Sequence, residues 1–331
     1  MYQSYLFELL GELENMPRDE AVSTVNAETE GNFRIVCEGP GYIVLEFEED
    51  KLGAVCSRLA LTRCVGRYLG SFDPEDLSPI ENAELPPGTF AVRHKRFKGW
   101  MADVDSQKLV RRTGAVFSKK NDVDLRNPDT VVDILMTDRV HAYTEECVFD
   151  ADLLKQRKVS ERPFFSPISL HPRYARALIN LTGVRRGGTV LDPFCGTGGI
   201  VIEAAEMGMK AIASDFDPEM VAGTRENMDF YHLALHDFEV LDIGAIPERF
   251  HEIDAVVCDP PYGRSTKTGG EKIDRIYSRA LEAFPKVLTE NGKAGVVLPH
   301  PFENPYMKLD SMYIQYVHGT LSRHYHLFSR Q

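Results

Sequence analysis

No stretch of this sequence approaches the roughly 20 apolar residues needed to span a bilayer. Met1 to Leu10 carries Glu8 and no basic cluster, which argues against a secretory leader. Cysteine is sparse. Cys37, Cys56, Cys64, Cys147, Cys195 and Cys258 are scattered and form no CxxC pair. A disulfide framework is not expected; reduced thiols in the cytoplasm are. Basic charge is also in deficit, with 38 Lys and Arg against 50 Asp and Glu and a net charge of -12. That balance argues against a globally basic nucleic-acid wrapper and a polybasic membrane binder, though not against a local basic patch. There is no internal repeat or low-complexity tract, and Trp100 is the only tryptophan. What is present is bulk for packing: 18 Phe and 13 Tyr in a chain of 331 residues that is 43% hydrophobic. Such a length suits two or three domains.

The charge is unevenly spread. Residues 1–53 hold 12 acids and 3 bases, residues 54–160 hold 16 and 17, and residues 161–331 hold 22 and 18. Phe90 to Arg126 alone carries ten Lys and Arg against four Asp.

Hydrophobic patterning divides the chain. Tyr5 to Leu9 opens a first α+β unit of residues 1–60, with a hairpin expected around Glu38-Gly39-Pro40-Gly41 and helical spacing over Leu52 to Leu61. Residues 61–149 predict a second α+β module: strands at Thr62 to Leu69 and Thr89 to Phe97, a helix at Ser106 to Ala115, and a hairpin around Thr137-Asp138. Residues 150–166 are polar, broken by Pro163, and read as a linker. From 167 to 331 the pattern alternates. Helices are expected at His171 to Leu181, Ile200 to Met207, Pro218 to Leu233 and Tyr277 to Leu288. Strands are expected at Thr189 to Asp192, Lys210 to Asp215, Glu239 to Leu241, Ile253 to Cys258 and Lys293 to Leu298, with a terminal hairpin of Tyr313 to Val317 and His324 to Phe328. This alternation predicts a doubly wound, mostly parallel sheet.

Where the first of those strands hands over to a helix stands Asp192-Pro193-Phe194-Cys195-Gly196-Thr197-Gly198-Gly199. Its glycines permit a tight turn and close approach to a ligand. No Gly-Lys-Ser/Thr follows, and Val201 replaces the third glycine of a dinucleotide fingerprint. A tight strand-to-helix connection alone would look the same. Asp215 ends the next strand, placed to accept hydrogen bonds from ribose hydroxyls, and Asp242 ends the third, in reach of an adenine amino group. Each aspartate alone would serve equally as a helix cap. Together they outline one crevice at the carboxyl ends of parallel strands.

The motif that decides the chemistry is Asp259-Pro260-Pro261-Tyr262, after the apolar strand Ile253 to Cys258. Two prolines restrict the backbone and remove two N–H donors. An acceptor-rich surface remains, the Asp259 carboxylate and the Pro260 carbonyl, which suits an aromatic amine with two N–H donors. Tyr262 is placed to stack on the base.

This pair of motifs resembles the S-adenosylmethionine-dependent amino-methyltransferases. The resemblance implies that the first motif wraps the cofactor, that the second positions the target amine, and that His171 and Pro172 touch the cofactor. With Asp192, Pro193, Phe194, Gly196, Thr197, Gly198, Asp215 and Asp242 they form the expected cofactor set. The front half is similar to the ferredoxin-like unit and THUMP domain of RNA-modifying enzymes. The whole order resembles the archaeal tRNA guanine-10 N2-methyltransferases, on Asp192-Pro-Phe-Cys-Gly-Thr-Gly-Gly-Ile, Glu203-Ala-Ala, Ser214-Asp215 and Asp259-Pro-Pro-Tyr-Gly-Arg264. It implies a Rossmann-like methyltransferase domain behind the two front modules, tRNA as partner, and Asp259, Pro260, Pro261 and Tyr262 as the catalytic group. The expected tRNA contacts are Arg93, Lys95, Arg96, Lys98, Arg111, Arg112, Lys119 and Lys120, where Phe97 and Trp100 add stacking to charge. A solvated surface face is the plainer reading of that stretch.

Cys258 precedes Asp259 instead of following a motif proline and reads as strand-core filling, and neither it nor Cys195 is expected to be a nucleophile. No metal site is expected, since His324 and His326 lack further ligands. The loop from Arg264 to Lys272 is open between a substrate lid and disorder. No obligate protein partner is evident. Two other functions stay open at this point. One is N6-methylation of adenine, which would use the same tetrad. The other is non-catalytic RNA binding on a vestigial cofactor fold.

Overall fold

A computed structural model describes residues 1–149, 159–165, 169–262, 270–318 and 321–331. Most of the expected linker and the loop residues from Gly263 to Gly269 lie outside the described residues. The chain divides into two compact units. The first comprises Met1–Glu12, Asn32–Cys56 and Thr62–Phe149; the second comprises Leu13–Gly31, Ser57–Leu61 and Asp150–Gln331.

In the first unit one eight-stranded sheet has the order β2-β3-β1-β4-β8-β7-β5-β6. Its strands are β1 Tyr2–Leu9, β2 Arg34–Gly39, β3 Tyr42–Glu48, β4 Thr62–Phe72, β5 Thr89–Arg96, β6 Asp122–Val123, β7 Thr130–Met136 and β8 Val140–Val148. The hairpin expected at Gly39-Pro40-Gly41 joins β2 to β3. β4 pairs with β1 on one edge and β8 on the other, so a single sheet runs from the N-terminal strands through the middle segment. Helix α3 (Ser106–Phe117) is capped by Asp105, whose carboxylate accepts from Gln107 N and Lys108 N at 3.0 Å each. Its Leu109 and Phe117 pack with Phe72, Phe90, Val132 and Ile134.

The second unit has the sheet order β11-β10-β9-β12-β13-β15-β14. Strands β9 Thr189–Asp192, β10 Lys210–Asp215 and β12 Ile253–Cys258 fall where the apolar runs predict them. β11 is Asp237–Val240 and β13 is Leu288–Leu298. These five run parallel, and β15 (Leu321–Arg330) and β14 (Met307–His318) close the sheet antiparallel. The helices are α4 Pro172–Leu181, α5 Gly199–Glu206, α6 Pro218–Phe230, a single turn α7 Ile246–Arg249, and α8 Ile273–Val287. Several limits differ from the sequence expectation: α6 ends at Phe230, β11 starts at Asp237, and both strands of the terminal hairpin are longer. Leu288 opens β13 instead of closing α8, and α8 starts a turn earlier than Tyr277. Gly295 of β13 meets Leu178 of α4, while Ala294, Val296 and Leu298 join the cluster of Tyr277, Leu281 and Phe284 from α8. Since successive strand residues face opposite ways, α4 and α8 cover opposite faces.

Two segments from the front half complete this unit: helix α1 (Met16–Thr29) and the end of α2 (Leu52–Arg58) with residues 59–61. A buried polar network holds them. Glu20 accepts from Ala60 N and Leu61 N at 2.8 Å each and from Asn180 Nδ2 at 2.9 Å. Arg58, fully buried, donates to Asn180 Oδ1, Val184 O and Glu28 Oε1. No clean apolar stripe marks this docking, because Glu20 and Thr24 are buried on α1 beside Met16, Ala21 and Val25. Breaking a buried pair strands the partner charge. Arg58→Met should therefore lower stability by about 3–5 kcal/mol, read as a Tm fall of roughly 6 °C or more. A Tm unchanged within one degree would refute the network's role.

Candidate active site

One aspartate stands at or just past the carboxyl end of each of four parallel strands: Asp192 on β9, Asp215 on β10, Asp242 after β11 and Asp259 after β12. β9 lies between β10 and β12, so strand order reverses direction there and a crevice opens outside the strand ends.

The glycine turn after β9 is built as its residues require. Gly196 and Gly198 have φ of 51° and 81°, a region that side chains disfavour. Gly198 caps α5. Asp215 Oδ2 accepts from Gly196 N at 3.1 Å and Oδ1 from Asp217 N at 3.0 Å. Asp192 Oδ1 accepts from Phe194 N at 3.1 Å. From α6, Thr224 donates to Gly196 O and Asn227 to Thr197 O, both at 2.9 Å. His171 caps α4 through Nδ1, which accepts from Arg173 N, and Pro172 fills its first turn.

Beside this turn lies a cavity of about 180 Å³. Pro193, Phe194, Phe216, Leu241, Asp242 and Ile243 line it, together with Pro261 and, from the region of α8, Glu271, Ile276 and Arg279. Of the expected cofactor set, Pro193, Phe194 and Asp242 line it, whereas His171, Pro172, Asp192, Gly196, Thr197, Gly198 and Asp215 do not. Asp242 Oδ1 accepts from Gly244 N at 2.9 Å and also pairs with Arg279, whose other nitrogen meets Glu271 at 2.7 Å. Phe216, Ile243 and Arg279 escaped the sequence reading. Phe216 directly follows Asp215 and could have been found from that position; nothing local marks Arg279.

Pro261 also belongs to the turn after β12. Asp259 is half-buried and Pro260 buried. The Tyr262 hydroxyl donates to Asp259 Oδ1, and the Tyr277 hydroxyl donates to Pro261 O at 2.7 Å. Burial pushes the Asp259 carboxyl up to about 6, against the opposing pull of the Tyr262 hydrogen bond and the Arg323 charge. Burial works against the charge on Arg323, but Asp259 and Tyr262 outweigh it and raise its pKa. Asp192 is raised well above the usual carboxylate range by burial, then by Asp215 and Asp259. Asp215 is raised by burial, with its backbone hydrogen bonds opposing. The site thus concentrates buried carboxylates, and at Asp192 the charges of Asp215 and Asp259 add to the effect of burial. Cys195 and Cys258 are buried, and their thiols are pushed up, which disfavours the nucleophilic thiolate.

In the first unit the basic residues separate into two sets. Lys95 meets Glu145 at 2.9 Å, Asp133 at 3.2 Å and Glu8 at 3.3 Å. Arg96 donates to the carbonyls of Met101 and Val104, Arg112 to those of Pro74 and Glu75, and Lys120 pairs with Glu84. Lys95, Arg96 and Arg112 are tied into the fold by these partners, whereas Lys120 and its partner Glu84 are both exposed. Arg93, Lys98, Arg111 and Lys119 are exposed, as is Trp100. A second cavity, about 320 Å³, is lined by Arg63, Lys95, Arg96, Phe97 and Lys98 with Glu8.

A family model described as UPF0020, RMKL-like methyltransferase domain, matches residues 160–307. The chain is 36% identical over 289 residues to the tRNA (guanine(10)-N2)-dimethyltransferase of Methanothermobacter thermautotrophicus, covering 85% of this chain and 83% of that protein. It is 33% identical to the protein of the same name from Pyrococcus abyssi, covering 82% of this chain and 85% of that one. The fold is similar to the crystal structure of TrmN from Thermus thermophilus, with a TM-score of 0.52, 20% identity, and 99% and 100% of the two chains covered.

If the Asp215 carboxylate holds the cofactor as well as the glycine turn, Asp215→Ala should weaken S-adenosylmethionine binding about 10- to 100-fold. Isothermal titration measures this, and an unchanged Kd would remove Asp215 from the cofactor site.

Proposed function

The chain belongs to the tRNA (guanine(10)-N2)-dimethyltransferase family, and from that premise we propose that it methylates the exocyclic N2 amine of a guanosine in tRNA, at position 10 and in two successive rounds, with S-adenosylmethionine as donor. The observation that carries this reading is the Asp259-Pro260-Pro261-Tyr262 turn at the end of β12, which shares Pro261 with the cavity beside the glycine turn.

S-adenosylmethionine supplies an electrophilic methyl group on a positively charged sulfur. The residues present suit it. Apolar walls from Phe194, Phe216 and Ile243 accept a purine, Asp215 and Asp242 suit hydroxyl and amino groups, and the crowded carboxylates of Asp192, Asp215 and Asp259 favour a cation among them.

The chain's own groups orient the acceptor. One oxygen of Asp259 accepts one N–H of the amine, and the Pro260 carbonyl accepts the other. With both protons held, the nitrogen lone pair is directed away from the ring and toward the methyl. Asp259 is also the nearest carboxylate for the proton that leaves nitrogen. The Tyr262 hydroxyl holds Asp259 in the present conformation, so the entering amine replaces it, and the freed ring stacks on a base turned out of its helix. Positioning does most of this work, because the methyl is already activated.

Asp259→Ala should lower the transfer rate at least about 100-fold while cofactor affinity survives. For the unsubstituted chain, the rate should rise about tenfold between pH 5 and 7. A carboxyl whose pKa is raised to about 6 by burial is a proton-bearing donor below that pH and an acceptor above it. Labelled cofactor with mixed tRNA, rRNA and DNA, followed by nucleoside analysis, should yield N2-methylguanosine and N2,N2-dimethylguanosine from tRNA. N6-methyladenosine, or a rate flat across that pH range, would count against this assignment.

The proposed compartment is the cytoplasm, on the grounds of six unpaired cysteines and a tRNA substrate. Among the described residues, no helix is long and apolar enough to cross a membrane. The exposed Arg93, Lys98, Arg111 and Lys119 are the proposed phosphate contacts. Replacing all four with Gln should weaken tRNA binding and flatten its dependence on salt, since fewer counterions are released. Equal affinity and equal salt slope in a filter-binding titration would exclude this face.

A further inference from the structure

Helix α8 meets both halves of the site. Ile276 and Arg279 line the cavity, while Tyr277 between them donates its hydroxyl to the Pro261 carbonyl at 2.7 Å. The geometry points to Tyr277 as a positioning residue for methyl transfer: it occupies the Pro261 carbonyl and leaves the Pro260 carbonyl as the backbone acceptor for the target amine. This rests on the proposed function above and deepens it.

Pro260 and Pro261 set the problem that Tyr277 solves. Neither has an N–H, so the Asp259–Pro260 and Pro260–Pro261 peptide planes carry no donor. Three acceptors then crowd one short turn: the Asp259 carboxylate and two successive carbonyls. A substrate amine offers two protons. Unless one carbonyl is engaged, the amine has more than one way to bind, and only one of them aims the lone pair at the methyl.

Tyr277 is suited to engage it. The side chain is 1% exposed and packed among Cys258, Leu281, Phe284 and Leu298. Its ring stands perpendicular to Phe302, with centroids 5.6 Å apart, which fixes the direction of the hydroxyl. A phenylalanine would fill this apolar cluster equally well, so the hydroxyl needs its own explanation, and its bond to Pro261 supplies one. Burial, followed by the charges of Asp259 and Asp274, pushes the phenol pKa up. Tyr277 therefore stays protonated, a donor, over the whole working pH range.

Tyr277→Phe in the full chain tests this. Single-turnover transfer to a tRNA transcript, at saturating cofactor and tRNA, should fall about 10- to 100-fold. The Kd for S-adenosylhomocysteine should stay within twofold. Phe284→Leu loosens the same cluster without touching the hydroxyl; it should lower Tm yet keep the rate within about threefold. A Tyr277→Phe rate within twofold of the parent would overturn the proposal. So would a parallel loss of rate, cofactor affinity and Tm, or an equal rate loss in Phe284→Leu, because each marks a merely structural role. Absence of methylguanosine with the unsubstituted chain would instead defeat the underlying functional reading, and this inference with it.

Discussion

Two consecutive prolines cannot donate a backbone hydrogen bond, and the catalytic half of this protein is arranged around that deficit. Pro260 and Pro261 leave a turn made of acceptors at the end of β12. Such a turn is useful to an amine and poorly anchored by itself. The anchors come from elsewhere: the Tyr262 hydroxyl on Asp259, the Tyr277 hydroxyl on Pro261, and the charge of Arg323 on Asp259. The parallel sheet brings these groups together, because β12 ends in the crevice, α8 packs behind it and β15 enters from the antiparallel edge.

The same crevice explains the distribution of charge. Asp192, Asp215 and Asp259 are buried or half-buried, and burial raises the pKa of each, with the charges of Asp215 and Asp259 adding to the rise at Asp192. In the proposed function, a positively charged cofactor held among them would relieve that field. The net charge of -12 is therefore no argument against a nucleic-acid partner, since the acids and the exposed bases belong to different parts of the chain. Only some of the bases are proposed RNA contacts. Lys95, Arg96, Arg112 and Lys120 have carboxylate or carbonyl partners within the first unit, and counting basic residues along the sequence could not show that.

Sequence order and structural membership also part company at the front of the chain. Helix α1 and residues 57–61 belong to the compact unit that holds the site, although the residues between them do not. Glu20, Arg58 and Asn180 add buried hydrogen bonds to the apolar contacts of this docking, whereas periodicity reports only apolar faces.

Local pattern was enough for much of the rest. Short apolar runs bounded by Gly, Asp and Pro located β9, β10 and β12, because a buried parallel strand needs little more than such a run. The four aspartates and the two turns were legible for the same reason: each is tied to a strand end by its immediate neighbours. What the sequence by itself determined is therefore the parallel sheet, its crevice and the chemical type of the groups that line it. Only the tertiary structure decided which groups steady them. Tyr277 is 16 residues from Pro261, and Arg279 and Arg323 lie far from the carboxylates they face, with no motif to link them. Such pairings depend on which helix packs against which strand. Packing is a property of the whole fold, and no window of neighbouring residues contains it.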